Sequence, residues 1–237
     1  SDLSLMRCEV VENDSFGVSV YDSSVVVIDS SEITYNGGAG LIADSSVVSL
    51  SVTNLNENLL GLFASDCDLS LLRCEFSENN RFGISLIDSS VMQIDSSLVL
   101  NNHGAGIIAD SSLINLNVTI INGNEAGLEC SDTDLTLFNC EIKENLGDGF
   151  WVTDSSIVEV NSCMINGNTE SGLFVQNSTI TVQQSELNEN RGGVGLFFST
   201  LNMIQSEISE NSSHGIFASD TSFIYLESCT INGNGLE

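Results

Sequence analysis

The sequence predicts an all-β fold, a single-stranded parallel β-helix of about ten coils, each of roughly 22 residues and three short strands. Three observations carry this expectation. Asparagine recurs at Asn13, Asn36, Asn58, Asn79, Asn102, Asn124, Asn145, Asn168, Asn190, Asn211 and Asn234, at spacings of 23, 22 and 21 residues that then repeat. Apolar residues stand at fixed places between these asparagines, two apart, the period of a strand with one face inward. No segment carries the 3.6-residue period of a helix. An antiparallel barrel would not repeat residue types column by column.

The elements follow in order within each coil. The first strand places apolar residues ten and eight before the asparagine, as in Leu3 and Leu5, Val26 and Ile28, Leu69 and Leu71, Leu135 and Leu137. The residue between them is mostly polar, as at Ser4, Ser49, Ser70 and Gln93. The second strand turns one apolar residue inward three before the asparagine, at Val10, Ile33, Leu55, Phe76 and Ile142. The third follows a glycine, as in Gly17-Val18-x-Val20, Gly83-Ile84-x-Leu86 and Gly149-Phe150-x-Val152, and closes on an Asp-Ser turn. Three coils make a longer unit of 66 residues, in which Arg7-Cys8-Glu9 through Asp22-Ser23-Ser24 returns as Arg73-Cys74-Glu75 through Asp88-Ser89-Ser90. One domain is expected over residues 1–237, as part of a longer repeat array. The final Leu236-Glu237 departs from the pattern and reads as an appended remnant.

The signature Asn13, Gly17, Val18, Val20, Asp22, Ser23, Ser24 resembles the right-handed parallel β-helix repeats of the pectate-lyase-like superfamily, and the resemblance covers essentially the whole chain. It implies a right-handed coil and, where a polysaccharide is bound, binding along the outer face of the third strand. It implies no single activity, because that architecture carries lyases, hydrolases, epimerases, adhesins and non-enzymatic surface proteins.

Composition narrows the function classes. The chain has 33 Asp and Glu against 5 Lys and Arg, a formal net charge of −28. A surface so charged repels phosphate, which excludes nucleic acid and anionic membrane as partners. No apolar run approaches the ~20 residues needed to span a bilayer. The basic residues Arg7, Arg73, Arg81, Lys143 and Arg191 are scattered, so no basic cleft for a uronate is expected. Proline is absent, which removes the Asp-Pro-His and Arg-x-Pro-x-x-Arg motifs that the superfamily's epimerases and lyases would bring. A hydrolase would need two carboxyls near the ~5 to 5.5 Å typical of a retaining pair, at one distinguished place.

Four sets of residues, and two histidines, remain to be assigned. The asparagines are expected at turns, in a left-handed conformation, with each amide bonded to the asparagine of the next coil. Cys8, Cys74, Cys140, Cys163 and Cys229 all lie five before an asparagine, where other coils carry Ser or Thr, and read as small inward thiols. Only Cys140 and Cys163 fall on neighbouring coils and could bond. Asp22, Asp44, Asp66, Asp88, Asp110, Asp132 and Asp154 follow one another at 22-residue intervals and are expected to stack. They would be relieved either by Asx turns to backbone N–H groups or by calcium, the one cofactor considered. His103 and His214 are expected in exposed loops.

The fourth set is the outward residue of the third strand: Ser19, Ile42, Phe63, Ser85, Ile108, Glu129, Trp151, Phe174, Phe197 and Phe217. Its apolar members Phe63, Ile108, Trp151, Phe174, Phe197 and Phe217 form a stripe on an otherwise acidic surface, suited to sugar rings, a partner protein or a second copy of the chain. The expectation is a non-enzymatic repeat protein of a cell surface or secreted assembly, a rigid spacer with a binding face. The alternative is a glycoside hydrolase-like enzyme acting on a neutral glycan along the same stripe.

Overall fold

A computed structural model describes residues 1–235. These residues are all strand and turn, wound into three parallel sheets. The first sheet stacks eleven strands from Asp2–Met6 to Phe223–Glu227, the second eleven from Glu9–Val11 to Thr230–Asn232, and the third ten from Val18–Val20 to Ile216–Ser219. Each strand pairs with the strand one coil away, so every sheet runs the length of the molecule. The expected columns meet in register, for example Leu135 with Val158 and Leu137 with Val160.

Alternation sets what is buried. Leu137, Ile142, Phe150 and Val152 of one coil have no exposed surface, while Thr136 between two inward leucines is only half-buried. Phe76 and Phe150 are the largest wholly buried side chains. Each such residue contributes about 1.5 to 3 kcal/mol by leaving water, and it does so only against the coils above and below.

The three corners of a coil are made by one or, after some third strands, two residues in the left-handed region, and here the expectation for asparagine is corrected. The left-handed residue is the one before each asparagine: Glu12, Tyr35, Glu57, Glu78, Asn101, Gly123, Glu144, Gly167, Glu189, Glu210 and Gly233. The asparagine itself follows the corner with an ordinary φ and points inward. The amide ladder is present. Asn102 Nδ2 donates to Asn124 Oδ1 at 2.8 Å, and Asn145 Nδ2 donates to Asn168 Oδ1 at 2.9 Å. Each Oδ1 also accepts the backbone N–H of the asparagine one coil earlier, as Asn124 Oδ1 does from Asn102 at 3.0 Å. A fully buried amide thereby has partners for its donors and its acceptor.

The 23, 22, 21 rhythm has a local cause. Coils with four residues from the asparagine to its glycine span 22, and those with three, such as Asn58 to Gly61, span 21. The 23-residue coils add one residue at the corner after the third strand, where two successive residues turn left-handed: Asp22-Ser23, Asp88-Ser89, Asp154-Ser155 and Asp220-Thr221. The column glycines are required by close approach. A Cβ on Gly127 would lie 2.3 Å from the carbonyl oxygen of Gly149 and 2.8 Å from Ile142.

The cysteines are free thiols, Cys140 and Cys163 included, and the latter sulfur accepts the Cys140 N–H at 3.4 Å. Cys74, Cys140 and Cys163 are buried as expected, whereas Cys8 and Cys229, on end coils, are half-buried. Cys67 and Cys130 sit in two other inward columns, and burial pushes the Cys130 thiol up to about 12. Leu236 and Glu237 lie outside the described residues.

Candidate functional site

The outer face of the third sheet carries the apolar stripe. Its register aligns Ser19, Ile42, Phe63, Ser85, Ile108, Glu129, Trp151 and Phe174 on successive coils, as expected. The next place is taken by Gly195, not Phe197: Phe174 pairs with Gly195, which pairs with Phe217. Phe197 stands two residues further along, beside Gln176 and Ser219. The motif glycine of that coil is Gly193, and Gly193-Val194-x-Leu196 places Gly195 outward.

The ladder is nonetheless continuous. Because Gly195 has no side chain, the Phe197 ring leans back over it; a Cβ there would lie 3.8 Å from the Phe197 ring and 3.7 Å from that of Phe174. Ring centroids are 5.9 Å apart from Trp151 to Phe174, 5.2 Å from Phe174 to Phe197 and 5.8 Å from Phe197 to Phe217. Trp151 meets Phe174 edge to face at 71°, and the other pairs are tilted at 32° and 49°. Trp151, inside the sheet, and Phe217, on its last strand, are each 47% exposed. Phe63 and Ile108 are half-buried on earlier coils and separated from the ladder, Ile108 by Glu129.

One flank of the ladder is a polar column that sequence reasoning missed. The residue before the column glycine is Phe16, Ala39, Leu60, Phe82, Ala105 and Ala126 in the first six coils, then Asp148, Ser171, Gly192 and His214. That change from apolar to polar was the available signal. Asp148 Oδ1 accepts the Ser171 N–H at 2.7 Å. The His214 ring packs over Gly192, where a Cβ would lie 2.7 Å from Nε2, and its centroid is 5.7 Å from that of Phe217. His214 is therefore half-buried against the ladder, not an exposed loop residue; His103 is exposed as expected. His214 Nε2 is buried without a hydrogen-bond partner, while Nδ1 lies 3.2 Å from Ser213 Oγ. Arg191 pairs with Glu170 beside it. Asp148, Glu170, Ser171, Phe174, Arg191 and His214 line one open groove.

A second groove, of about 330 Å³, opens at Ile108, Asp110, Glu129, Ser131, Trp151 and Thr153. Burial raises the Glu129 carboxyl above the ordinary carboxylate range, and the charges of Glu125 and Asp148 add to it. Burial also raises Asp148, against the Ser171 N–H bond, with Glu170 adding a smaller rise. Loss of hydration lowers His214, and the Arg191 charge lowers it further.

The aspartates do not form one row. Asp22, Asp66, Asp88, Asp132 and Asp154 take the left-handed corner, but at Asp44 and Asp110 that place belongs to Ser45 and Ser111. Asp44 and Asp110 sit one residue earlier, beside Ser65 and Ser131. Serine hydroxyls bridge the coils in place of the expected backbone donors: Ser65 Oγ donates to Asp88 at 3.0 Å and Ser131 Oγ to Asp154 at 3.3 Å. Among the described residues, no three His, Cys, Asp or Glu side chains converge in a way that could hold a metal ion.

The family model described as a right-handed beta helix region matches residues 1–124 and 126–237. The chain belongs to that family. This β-helix also shares its fold with solved structures of low sequence identity. The mannuronan C-5 epimerase AlgE4 A-module of Azotobacter vinelandii is 14% identical, with a TM-score of 0.64 over 100% of this chain and 88% of that one. A mutant of the periplasmic alginate epimerase AlgG is 12% identical, with a TM-score of 0.61 over 98% and 77%. Tailspike protein 2 of Escherichia coli O157:H7 bacteriophage CAB120 is 11% identical, with a TM-score of 0.63 over 98% and 38%. These likenesses show the fold, a right-handed parallel β-helix, as the repeat signature implied. No curated protein sequence matches the chain. No helix among the described residues is long and apolar enough to cross a membrane.

Proposed function

We propose that this β-helix is a non-enzymatic scaffold of a secreted or cell-surface assembly, and that it binds a glycan along the Trp151–Phe174–Phe197–Phe217 ladder. The observation that carries the reading is the ladder itself. Four aromatic rings stand in sequence on a flat sheet face, and those at its two ends, Trp151 and Phe217, are each close to half exposed. Aromatic faces on a rigid support suit the apolar faces of sugar rings, and the fixed sheet lets them bind without an ordering cost. The ladder runs along the solenoid axis, so a linear polymer lying on it would meet a ring at each coil. Relatives of the same fold named for alginate and mannuronan, one of them periplasmic, support both a glycan and a place outside the cytoplasm.

Affinity electrophoresis in gels containing neutral glycans tests this. Retardation that is lost in Trp151→Ala and Phe174→Ser is expected; equal mobility of all three proteins in every gel would refute it. The ladder could instead bury itself against a second copy of the chain. Sedimentation velocity of the wild type and Phe174→Ser/Phe197→Ser separates that outcome, because self-association lost in the double variant would make the ladder a protein interface.

A second reading is a polysaccharide-active enzyme of glycoside hydrolase type, and one observation favours it. Among the described residues, Glu129 and Asp148 are the two carboxyls that burial raises, and both adjoin the ladder. They distinguish one place on an otherwise repetitive surface, as catalysis requires. Release of reducing ends from a panel of neutral glycans, abolished in Glu129→Gln, would favour the enzyme over the scaffold.

A further inference from the structure

The charge around the ladder selects its occupant. Glu129 occupies the ladder's own column, directly beside Trp151. Glu125 and Asp148 act on it through their charges, and Asp110 lines the same groove as Trp151. The one nearby guanidinium, Arg191, is held by Glu170, and His214 is biased toward its neutral form by lost hydration. The aromatic surface is thus bordered by carboxylates with no free cation among the described residues of the two grooves. A uronate polymer laid here would meet like charge at Glu129, Asp148 and Glu170. A protonated amine would gain both a carboxylate and an aromatic face.

Resting on the glycan-binding reading above, we infer that the ladder's ligand is a cationic glycan, a linear polymer of amino sugars with free, protonated amines. The sheet favours a glycan over a basic peptide. Trp151, Phe174 and Phe197 lie on strands hydrogen-bonded to neighbours on both sides, so an extended peptide finds no free backbone edge along most of the ladder; only Phe217 stands on the last strand of its sheet. Recognition here must run through side chains and ring faces. From Trp151 to Phe217 the ladder spans three coil steps, roughly 14 Å, long enough for several sugars.

Isothermal titration calorimetry on the intact chain tests the inference with three probes: a β-1,4-linked glucosamine hexamer, its fully N-acetylated counterpart and hexalysine. It is run at about pH 6, below the amine range. The glucosamine hexamer is expected to bind at least about tenfold tighter than the acetylated one in low salt, as two or three exposed charge pairs would give. That advantage should shrink below about threefold in 1 M salt, where screening acts within ~3 Å. Glu129→Gln/Asp148→Asn should remove most of it, with the folded state verified by circular dichroism. Asparagine at 148 keeps an acceptor for the Ser171 N–H. Equal or tighter binding of the acetylated hexamer would overturn the inference and leave the glycan reading standing. Hexalysine binding as tightly as the amino glycan would overturn it in favour of a polycation site. Absence of binding by both hexamers would overturn the inference and the glycan reading together.

Discussion

Deleting one amide from the middle of the asparagine ladder isolates what the ladder contributes. Asn102 is buried; its Nδ2 donates to Phe76 O at 3.0 Å and to Asn124 Oδ1 at 2.8 Å. Its Oδ1 accepts from Asn79 N at 3.1 Å and Asn79 Nδ2 at 2.9 Å. In Asn102→Ala, Asn79 Nδ2 keeps Leu55 O at 3.1 Å, and Asn124 Oδ1 keeps the Asn102 N–H at 3.0 Å. The Asn79 N–H is left in a dry interior without an acceptor, and Phe76 O loses a donor. At about 1 to 3 kcal/mol for each orphaned buried group, the loss should be about 2 to 4 kcal/mol. Asn13 supplies the internal reference. It is exposed on the first coil and only donates, to Asn36 Oδ1, so Asn13→Ala should cost under about 1 kcal/mol. Asn102→Asp keeps the shape but replaces the donor by a charged acceptor facing Asn124 Oδ1, and should cost more than alanine. Urea unfolding followed by circular dichroism measures all three. If Asn102→Ala and Asn13→Ala agree within about 0.5 kcal/mol, the buried amide network is not what holds the corner.

Other consequences follow from the same geometry. Gly127→Ala forces a Cβ against the Gly149 carbonyl and should cost more than about 3 kcal/mol, with thermal melting as the check. Leu137→Asp, in an unbroken inward column, should abolish folding; a soluble variant with unchanged circular dichroism would contradict the inward placement. Glu129 and Asp148 are raised, so the folded chain holds their protons more tightly than the unfolded chain does. Their contribution to stability is complete below the unfolded carboxylate range and is lost as pH rises through their folded values. Melting temperature should therefore fall, as pH rises above about 4, more steeply in the wild type than in Glu129→Gln/Asp148→Asn.

What the sequence revealed and what it concealed have separate physical causes. Inward columns such as Leu135–Leu137 are legible because a parallel solenoid gives every coil the same neighbours, so selection for burial repeats with the coil length. Corner conformation does not announce itself in this way. The inward asparagine is the constant residue, yet the strained backbone belongs to its predecessor, where six of eleven corners use glutamate. The aspartate spacing misled because evenly spaced residues share a register only where corners have equal composition and length, and Asp44 and Asp110 stand one place early. Phe197 misled because Gly193 and Gly195 both fit a glycine before alternating apolar residues. The polar flank was legible as Asp148, Ser171 and His214 in a column otherwise apolar or glycine. Its significance emerges only when the Phe217 ring and Gly192 are seen to make room for the imidazole.

The chain contains one tryptophan, and it stands at the end of the ladder, so its fluorescence reports directly on the proposed binding face. Titration of the wild type with glycan oligomers should shift the Trp151 emission to shorter wavelength as a sugar ring displaces water from the indole, with saturation, and Phe174→Ser should weaken the response. An emission spectrum that stays fixed through saturating additions of both amino-sugar and neutral oligomers would contradict the claim that this face binds glycans.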